Sequence, residues 1–335
     1  MVGRKIKHLL RSKEMLLFLI VLVVIIIFRT VNRHFLSVGS LSGIMQDMSI
    51  AGIFTIAMGV VIIGGGIDLS VTRVALFAGV LAAILMRAGV PWFWAMIVTL
   101  VAGGIVGFIN SLLISKLRIM PFMATVAVLS VLEGFNLYLT NAQNIPIRDE
   151  GFWWGGRTLF SLFPYSFIVM TVLMIIYGLI LTKTQFGRNV YLVGGNMAAA
   201  RLTGVNPVWV RMILYINSGM LSAFAGIVNA SRMKTANPQA IPDYMVTSLT
   251  ASVLGGVAFT GGAGGMGGCF IGVMLLSFFT QGLTSLALPA YWTYISTGIL
   301  LIVALTVDYF NERAREKRLR ARPQAIPAAN KEGAQ

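Results

Sequence analysis

Apolar runs separated by short polar or Gly/Pro-rich breaks fill almost the whole chain, at residues 15–33, 43–64, 72–87, 92–114, 121–140, 164–182, 210–231, 245–261, 267–286 and 291–309. A helix of about 20 residues rising 1.5 Å per residue spans the roughly 30 Å of a bilayer's hydrocarbon. The pattern therefore predicts an all-α polytopic membrane protein of about ten transmembrane helices. Glycine clusters sit between the second and third runs and between the eighth and ninth, and predict broken or re-entrant segments there.

Composition agrees with this pattern. Of 335 residues, 57% are hydrophobic and 11% charged, against about 25% charged in soluble domains; mean hydropathy is +0.84. The net charge of +15 does not point to nucleic acid, because the basic residues gather at the two ends and in short loops. Arg4, Lys5, Lys7, Arg11 and Lys13 precede the first run, and Arg313, Arg315, Lys317, Arg318, Arg320 and Arg322 follow the last. Since Lys and Arg concentrate on the cytoplasmic side, both termini are expected there, which requires an even number of crossings. Lys116 and Arg118, and a loop over 183–209 with Lys183, Arg188 and Arg201, fall on the same side. The opposite face takes residues 88–91 and 141–164, where Phe152, Trp153, Trp154 and Phe160 predict an interfacial aromatic belt.

Three regions follow: a basic cytoplasmic N-terminus (1–14), a membrane domain (15–309), and a basic tail (310–335) expected to be partly disordered, past Arg322. The basic start and "MLLFLIVLVVIIIF" imitate a secretory signal. Arg29 and Thr30 stand where a cleavage site would need small residues, so a retained first helix is expected.

Catalytic sets are missing from the pattern. Two histidines, His8 and His34, and a lone Cys269 build neither a triad nor a metal site. Gly262, Gly264 and Gly267 satisfy a dinucleotide-type spacing without a surrounding βαβ unit, and no glycine run ends in Gly-Lys-Ser/Thr, so this chain is expected to bind no nucleotide, cofactor or metal.

The informative polar residues lie within the apolar runs. Asp47, Asp68 and Glu133 sit in or beside them, where a central Asp costs about 2.5 to 3.5 kcal/mol to insert. Such residues face a bundle interior or an aqueous cavity. They serve either as an ion relay, which would make the chain an ion-coupled secondary transporter, or as structural partners. For Asp68 structure is favoured: Gly64, Gly65 and Gly66 break the helix, and Asp68 and Ser70 supply acceptors to the helix restarting near Val71. Arg73 either pairs with Asp68 or faces the solute path. Asn110, Asn136 and Gln281 either bond a polar solute or bridge helices. Gly264, Gly268 and Gly272, like Gly103 and Gly107, recur every four residues and predict close helix packing or a hinge. A weak echo links "IIGGGIDLSVTRVALFAG" to "VLGGVAFTGGAGGMGG", where Gly255 and Gly256 are expected to break or pack a helix.

The loop "TKTQFGRNVYLVGGNMAAARLTGVNP" reads as a short helix. Gly194 and Gly195 break the chain, Asn196 caps, Ala198, Ala199, Ala200 and Arg201 favour helix, and Gly204 with Pro207 ends it. Its small, neutral face suits either an interfacial position or a partner's groove.

Four stretches carry a resemblance: "GGGIDLSV" (64–71), "GFINSLLISKLRIMPFMATVAVL" (107–129), "KTQFGRNVYLVGGNMAAARLTGV" (183–205) and "SVLGGVAFTGG" (252–262). With the ten runs, the chain resembles over nearly its whole length the permease subunits of bacterial ATP-binding-cassette importers for simple sugars, the ribose/galactose/arabinose/autoinducer-2 group. The resemblance implies a non-enzymatic subunit of the cytoplasmic (inner) membrane that moves a small polar solute. It further implies a second permease copy or paralogue, an extracytoplasmic solute-binding protein, and a separate cytoplasmic ATPase that holds ATP and Mg. Gly194 to Gly204 would be the segment that meets the ATPase. Asp68 would lie near the translocation path, for which Asp47, Ser70, Arg73, Asn110 and Glu133 are further candidates.

Three departures stand out. Thr72 and Arg73 replace the usual Gly-Ser, and the arginine is similar to the galactose/methyl-galactoside branch. Glu133 replaces a commoner arginine. Tyr244, Met245, Val246 and Thr247 stand where Tyr-Glu-Leu-Asp is usual, with Asp243 one position before the tyrosine.

Overall fold

A computed structural model describes residues 13–239, 244–289 and 291–320. Most of the basic N-terminus, Asp243 and the tail past Arg320 lie outside these. The helices are α1 (Lys13–Val31), α2 (Val38–Ile63), α3 (Val71–Arg87), α4 (Trp92–Ser111, continued by a π turn, Leu112–Lys116), α5 (Pro121–Thr140), α6 (Tyr165–Lys183), α7 (Gln185–Gly195), α8 (Met197–Leu202), α9 (Pro207–Met233), α10 (Tyr244–Leu254), α11 (Met266–Ser285) and α12 (Tyr291–Arg320). The first part of the basic tail thus continues α12 as helix.

Every apolar run contains a helix, but the runs are not equivalent. Among the described residues, eight helices are long and apolar enough to cross a membrane. The two that are not are α3, of 17 residues, and α10, of 11. The eighth run, 245–261, is not one helix: α10 stops at Leu254, because Gly255 and Gly256 follow and Gly256 takes φ +86°, a left-handed conformation that suits glycine.

Helix α9 is the hub, packed against α4, α3 and α2. Its contact with α4 is backbone on backbone: a Cβ on Gly103 would press into Gly219, and one on Gly107 into the Tyr215 carbonyl. The four-residue spacing of these glycines is therefore a packing face. Gly268 and Gly272 do the same for α11 against the carbonyls of Gly255, just past α10, and Ala251 of α10, while Gly264 lies before α11, at φ +124° against Val257.

The two ends of the bundle differ. At one end, strands β1 (Ile145–Pro146) and β4 (Thr235–Ala236) pair antiparallel, as do β2 (Thr158–Leu159) and β3 (Phe163–Pro164). A 3-10 helix (Glu150–Gly156) packs here on the end of α9, where Ser231 donates to the Phe152 carbonyl and accepts from Gly155 N at 2.8 Å. The four aromatic residues expected at an interface differ in burial. Phe152 is fully buried, Trp154 stacks on Phe224 with centroids 6.2 Å apart, and Phe160 is exposed. The 141–164 segment folds back onto the bundle and buries Phe152, leaving Trp153 and Trp154 half-buried. The other end carries α7 and α8.

Candidate functional site

Two interrupted helices meet at the α7–α8 end. The first interruption lies between α2 and α3. Gly64, Gly65 and Gly66 stop α2, with Gly65 at φ +75°, and α3 restarts at Val71. Asp68 is buried at 1% exposure and accepts three hydrogen bonds: Ser70 N at 3.0 Å, Ser70 Oγ at 2.6 Å and Ser218 Oγ at 2.7 Å. A buried carboxylate is tolerated when its lone pairs are filled in this way. Asn110 Nδ2 donates to Ser70 Oγ at 2.9 Å, which ties α4 into the cluster.

Helix α9 supplies the remaining donors. Tyr215 Oη donates to the Ile67 carbonyl at 3.2 Å, and Arg211 reaches the Gly65 carbonyl at 3.5 Å. Arg211, Tyr215 and Ser218 stand at i, i+4 and i+7, one face of one helix. That face is matched to the carbonyls and carboxylate that the unwound segment leaves without helical partners.

The second interruption, residues 255–265 between α10 and α11, contacts the first through backbone. Gly262 N donates to the Ile63 carbonyl at 2.8 Å. Gly194 and Gly195, at the end of α7, press between the two: a Cβ on Gly194 would overlap the Ile63 carbonyl, and one on Gly262 would fall 2.5 Å from Gly195 Cα. Tyr191 Oη on α7 donates to the Gly264 carbonyl at 2.8 Å, and Phe259 N donates to Asp308 Oδ2 of α12 at 3.2 Å.

The loop folds as two helices rather than one. Gly194 and Gly195 end α7, and Asn196 caps α8 through Ala198 N and Ala199 N at 2.9 and 3.0 Å. Gly204 takes φ +82° after α8. Pro207 does not terminate it but opens α9 at the first-turn position, where its missing N–H costs nothing. Ala198, Ala199 and Arg201 are exposed, Ala200 is buried, and Leu202 is 90% exposed.

The remaining carboxylates are engaged elsewhere. Arg73 does not pair with Asp68. Its Nη2 lies 3.0 Å from Glu133 on α5, because Arg73 is on α3 above the break, facing α5, whereas Asp68 is enclosed by α4 and α9. Asp47 pairs with Arg232 of α9 at 2.6 Å and lines a cavity of about 440 Å³ nearer the strand end, with Tyr244, Thr247, Thr280, Thr293 and Thr297. Asn136 donates to the Arg73 carbonyl at 3.4 Å.

Residues 40–305 match the family described as "Branched-chain amino acid transport system / permease component". The chain belongs to this permease family. The permease is 33% identical over 293 residues to the ribose import permease protein of Bacillus subtilis (strain 168), covering 87% of this chain and 91% of that relative. It is 31% identical over 311 residues to the ribose import permease protein of Escherichia coli (strain K12), covering 90% and 95%. The L-arabinose ABC transporter permease protein of Azospirillum brasilense is 30% identical over 299 residues, covering 88% of each chain. No solved structure matches the chain. Family and helices together make it a multi-pass membrane transport subunit rather than an enzyme, with the ATPase on a separate subunit.

The structure brings together Gly64, Gly65, Gly66, Asp68, Ser70, Asn110, Gly194 and Gly195, and leaves Asp47, Arg73 and Glu133 apart from them. Sequence reasoning missed Arg211, Tyr215, Ser218 and Asp308. A signal for the first three was present as polar residues at helical spacing within an otherwise apolar run.

Proposed function

We propose that this permease is the membrane-spanning subunit of an ATP-driven importer for a simple sugar in the bacterial cytoplasmic membrane. The observation that carries the sugar assignment is near full-length similarity to permeases named for ribose, L-arabinose and also fructose, the last from Rhizobium meliloti at 30% identity. The family's description names branched-chain amino acids, so the substrate class rests on these relatives and not on the family title.

In this reading the ten helices give ten crossings, with the half-length α10 completed by the glycine-rich segment after it. Both termini and the α7–α8 end face the cytoplasm. The chain is a 15–309 permease domain between a basic N-terminus and a basic tail, and it acts with a second permease copy or a paralogue. A solute-binding protein delivers sugar at the strand end, and a cytoplasmic ATPase holds ATP and Mg. The α7–α8 unit is the coupling element. Exposed Ala198, Ala199 and Leu202 enter a groove on the ATPase, and the backbone seam at Gly194 and Gly195, which touches both helix breaks, passes displacement to the glycine-rich second one. The Asp47 cavity, with its hydroxyls and two tyrosines, Tyr244 and Tyr294, belongs to the solute path, since sugars are bound by hydroxyl and carboxylate partners beside an aromatic surface. Asp68, Ser70 and Asn110 hold the first break and do not line the Asp47 cavity. Asp47, Asp68 and Glu133 are each engaged by a partner, which leaves the ion-coupled alternative without a free carboxylate among the three.

The coupling role is tested at exposed Ala199. Ala199→Glu leaves the chain folded and inserted but reduces ATP-driven uptake by about tenfold or more through a charge buried at the groove. Normal uptake and normal ATPase stimulation by this variant would remove α8 from the coupling role.

A further inference from the structure

Beside α8 lies a second cavity, of about 340 Å³, between the α4–α5 connection, α8 and the start of α9. Three arginines from three different elements line it: Arg118 in the connection, Arg201 on α8 and Arg211 on α9. No Asp or Glu is among the lining residues, and the ion pairs among the described residues, Arg73–Glu133 and Arg232–Asp47, lie elsewhere. Two polar atoms at the cavity, Ser115 Oγ and Arg211 Nε, are buried without a hydrogen-bond partner. Native proteins leave few buried polar atoms unpaired, and each asks for a missing partner. Here the missing partner has to be an acceptor for Arg211, and the nearby charge is all positive.

We infer that this cavity is a phosphate-class anion site. Arginine forks bind phosphate oxygens bidentately, and three of them converging without a carboxylate supply the charge such a group needs. The rim favours a phospholipid as the source. Leu117, Met120, Phe122 and Met123, at 60% to 64% exposure, form an apolar border along the connection and the first turn of α5. Basic pockets between membrane helices on the cytoplasmic side are sites for anionic lipid headgroups. The backbone is shaped around the cavity as well: the π turn Leu112–Lys116 and the left-handed Arg118 at φ +60° interrupt the connection at its mouth, and π turns recur at functional positions. A bound phosphate would bridge α8 through Arg201 to α9 through Arg211, whose other nitrogen reaches the Gly65 carbonyl of the first break. The site therefore stiffens the link between the coupling element and the break, and it rests on the proposed orientation only in assigning the leaflet.

The test uses the nucleotide-free permease–ATPase complex, with thermal stability followed against three probes: inorganic phosphate, phosphatidylglycerol, and phosphatidylcholine as the zwitterionic control. Saturable stabilisation by phosphatidylglycerol alone identifies a lipid headgroup, and stabilisation by inorganic phosphate as well identifies a soluble anion; either supports the site. Arg118 is exposed, so Arg118→Gln is expected to fold. It lowers the apparent affinity about tenfold, the loss of one charge-assisted contact, while Arg118→Lys retains most of it. Absence of saturable stabilisation by either anionic probe, or equal stabilisation of wild type and Arg118→Gln, overturns the inference. Neither result touches sugar transport, which is read separately by uptake.

Discussion

The two helix breaks meet at one backbone hydrogen bond but are held by different means. In the first, residues 64–70, a buried carboxylate, two serines, an asparagine, a tyrosine and an arginine from α4 and α9 satisfy the unwound chain. Only Gly65 takes a positive φ. In the second, residues 255–265, Gly256, Gly261, Gly262 and Gly264 all have positive φ, the residues are mostly half-exposed, and two side chains reach in, Tyr191 and Asp308. A segment fixed by a closed polar network resists opening, whereas one resting on glycine conformers and few buried contacts opens at lower cost. The first break is thus expected to act as an anchor and the second as the part that moves when α7 and α8 are displaced.

The largest effect belongs to the anchor. Asp68→Ala strands Ser70 N, Ser70 Oγ and Ser218 Oγ, and at about 1 to 3 kcal/mol for a stranded buried group it is expected to abolish recovery of a folded complex. Size-exclusion profiles and melting curves in detergent check this; a stable, transport-deficient protein would instead make Asp68 a solute contact. Gly256→Ala probes the moving break alone. No atom lies within 4 Å of its Cβ position and φ is +86°, so the cost is conformational, about 1 to 2 kcal/mol. The variant should fold and insert yet import more slowly, and unchanged uptake would count against the second break as the moving part. The smallest effect is expected at Arg73 and Glu133, which touch neither break. This half-exposed pair couples by about 0.2 to 1 kcal/mol. A double-mutant cycle with Arg73→Gln and Glu133→Gln reads it, and strictly additive losses would dissolve the pair.

Local features were legible in the sequence and tertiary partners were not. The ten runs, the restart at Val71 and the Asn196 cap follow from periodicity and from side chains acting within a few residues of their own backbone. The partner of Arg73 could not be read that way, because Glu133 lies 60 positions further on and nearby Asp68 competes for it on paper. The structure also joins two departures from the related permeases: Arg73 and Glu133 are the same ion pair, so each accounts for the other. A break near Gly255 and Gly256 was legible, but the length of α10 was not: residues 245–261 stay apolar through those glycines, and apolarity alone does not separate a full span from a half helix followed by a turn. Arg211, Tyr215 and Ser218 were overlooked because their spacing also fits an ordinary amphipathic face.

The central claim, that the chain imports sugar only as part of an ATP-driven assembly, is tested most directly by uptake of labelled ribose, arabinose or fructose into proteoliposomes. These would contain the permease alone, or the permease with its ATPase and solute-binding protein. ATP-dependent accumulation of one of these sugars by the complete assembly, and none by the permease alone under a proton or sodium gradient, is the predicted result. Gradient-driven accumulation by the permease alone would contradict it.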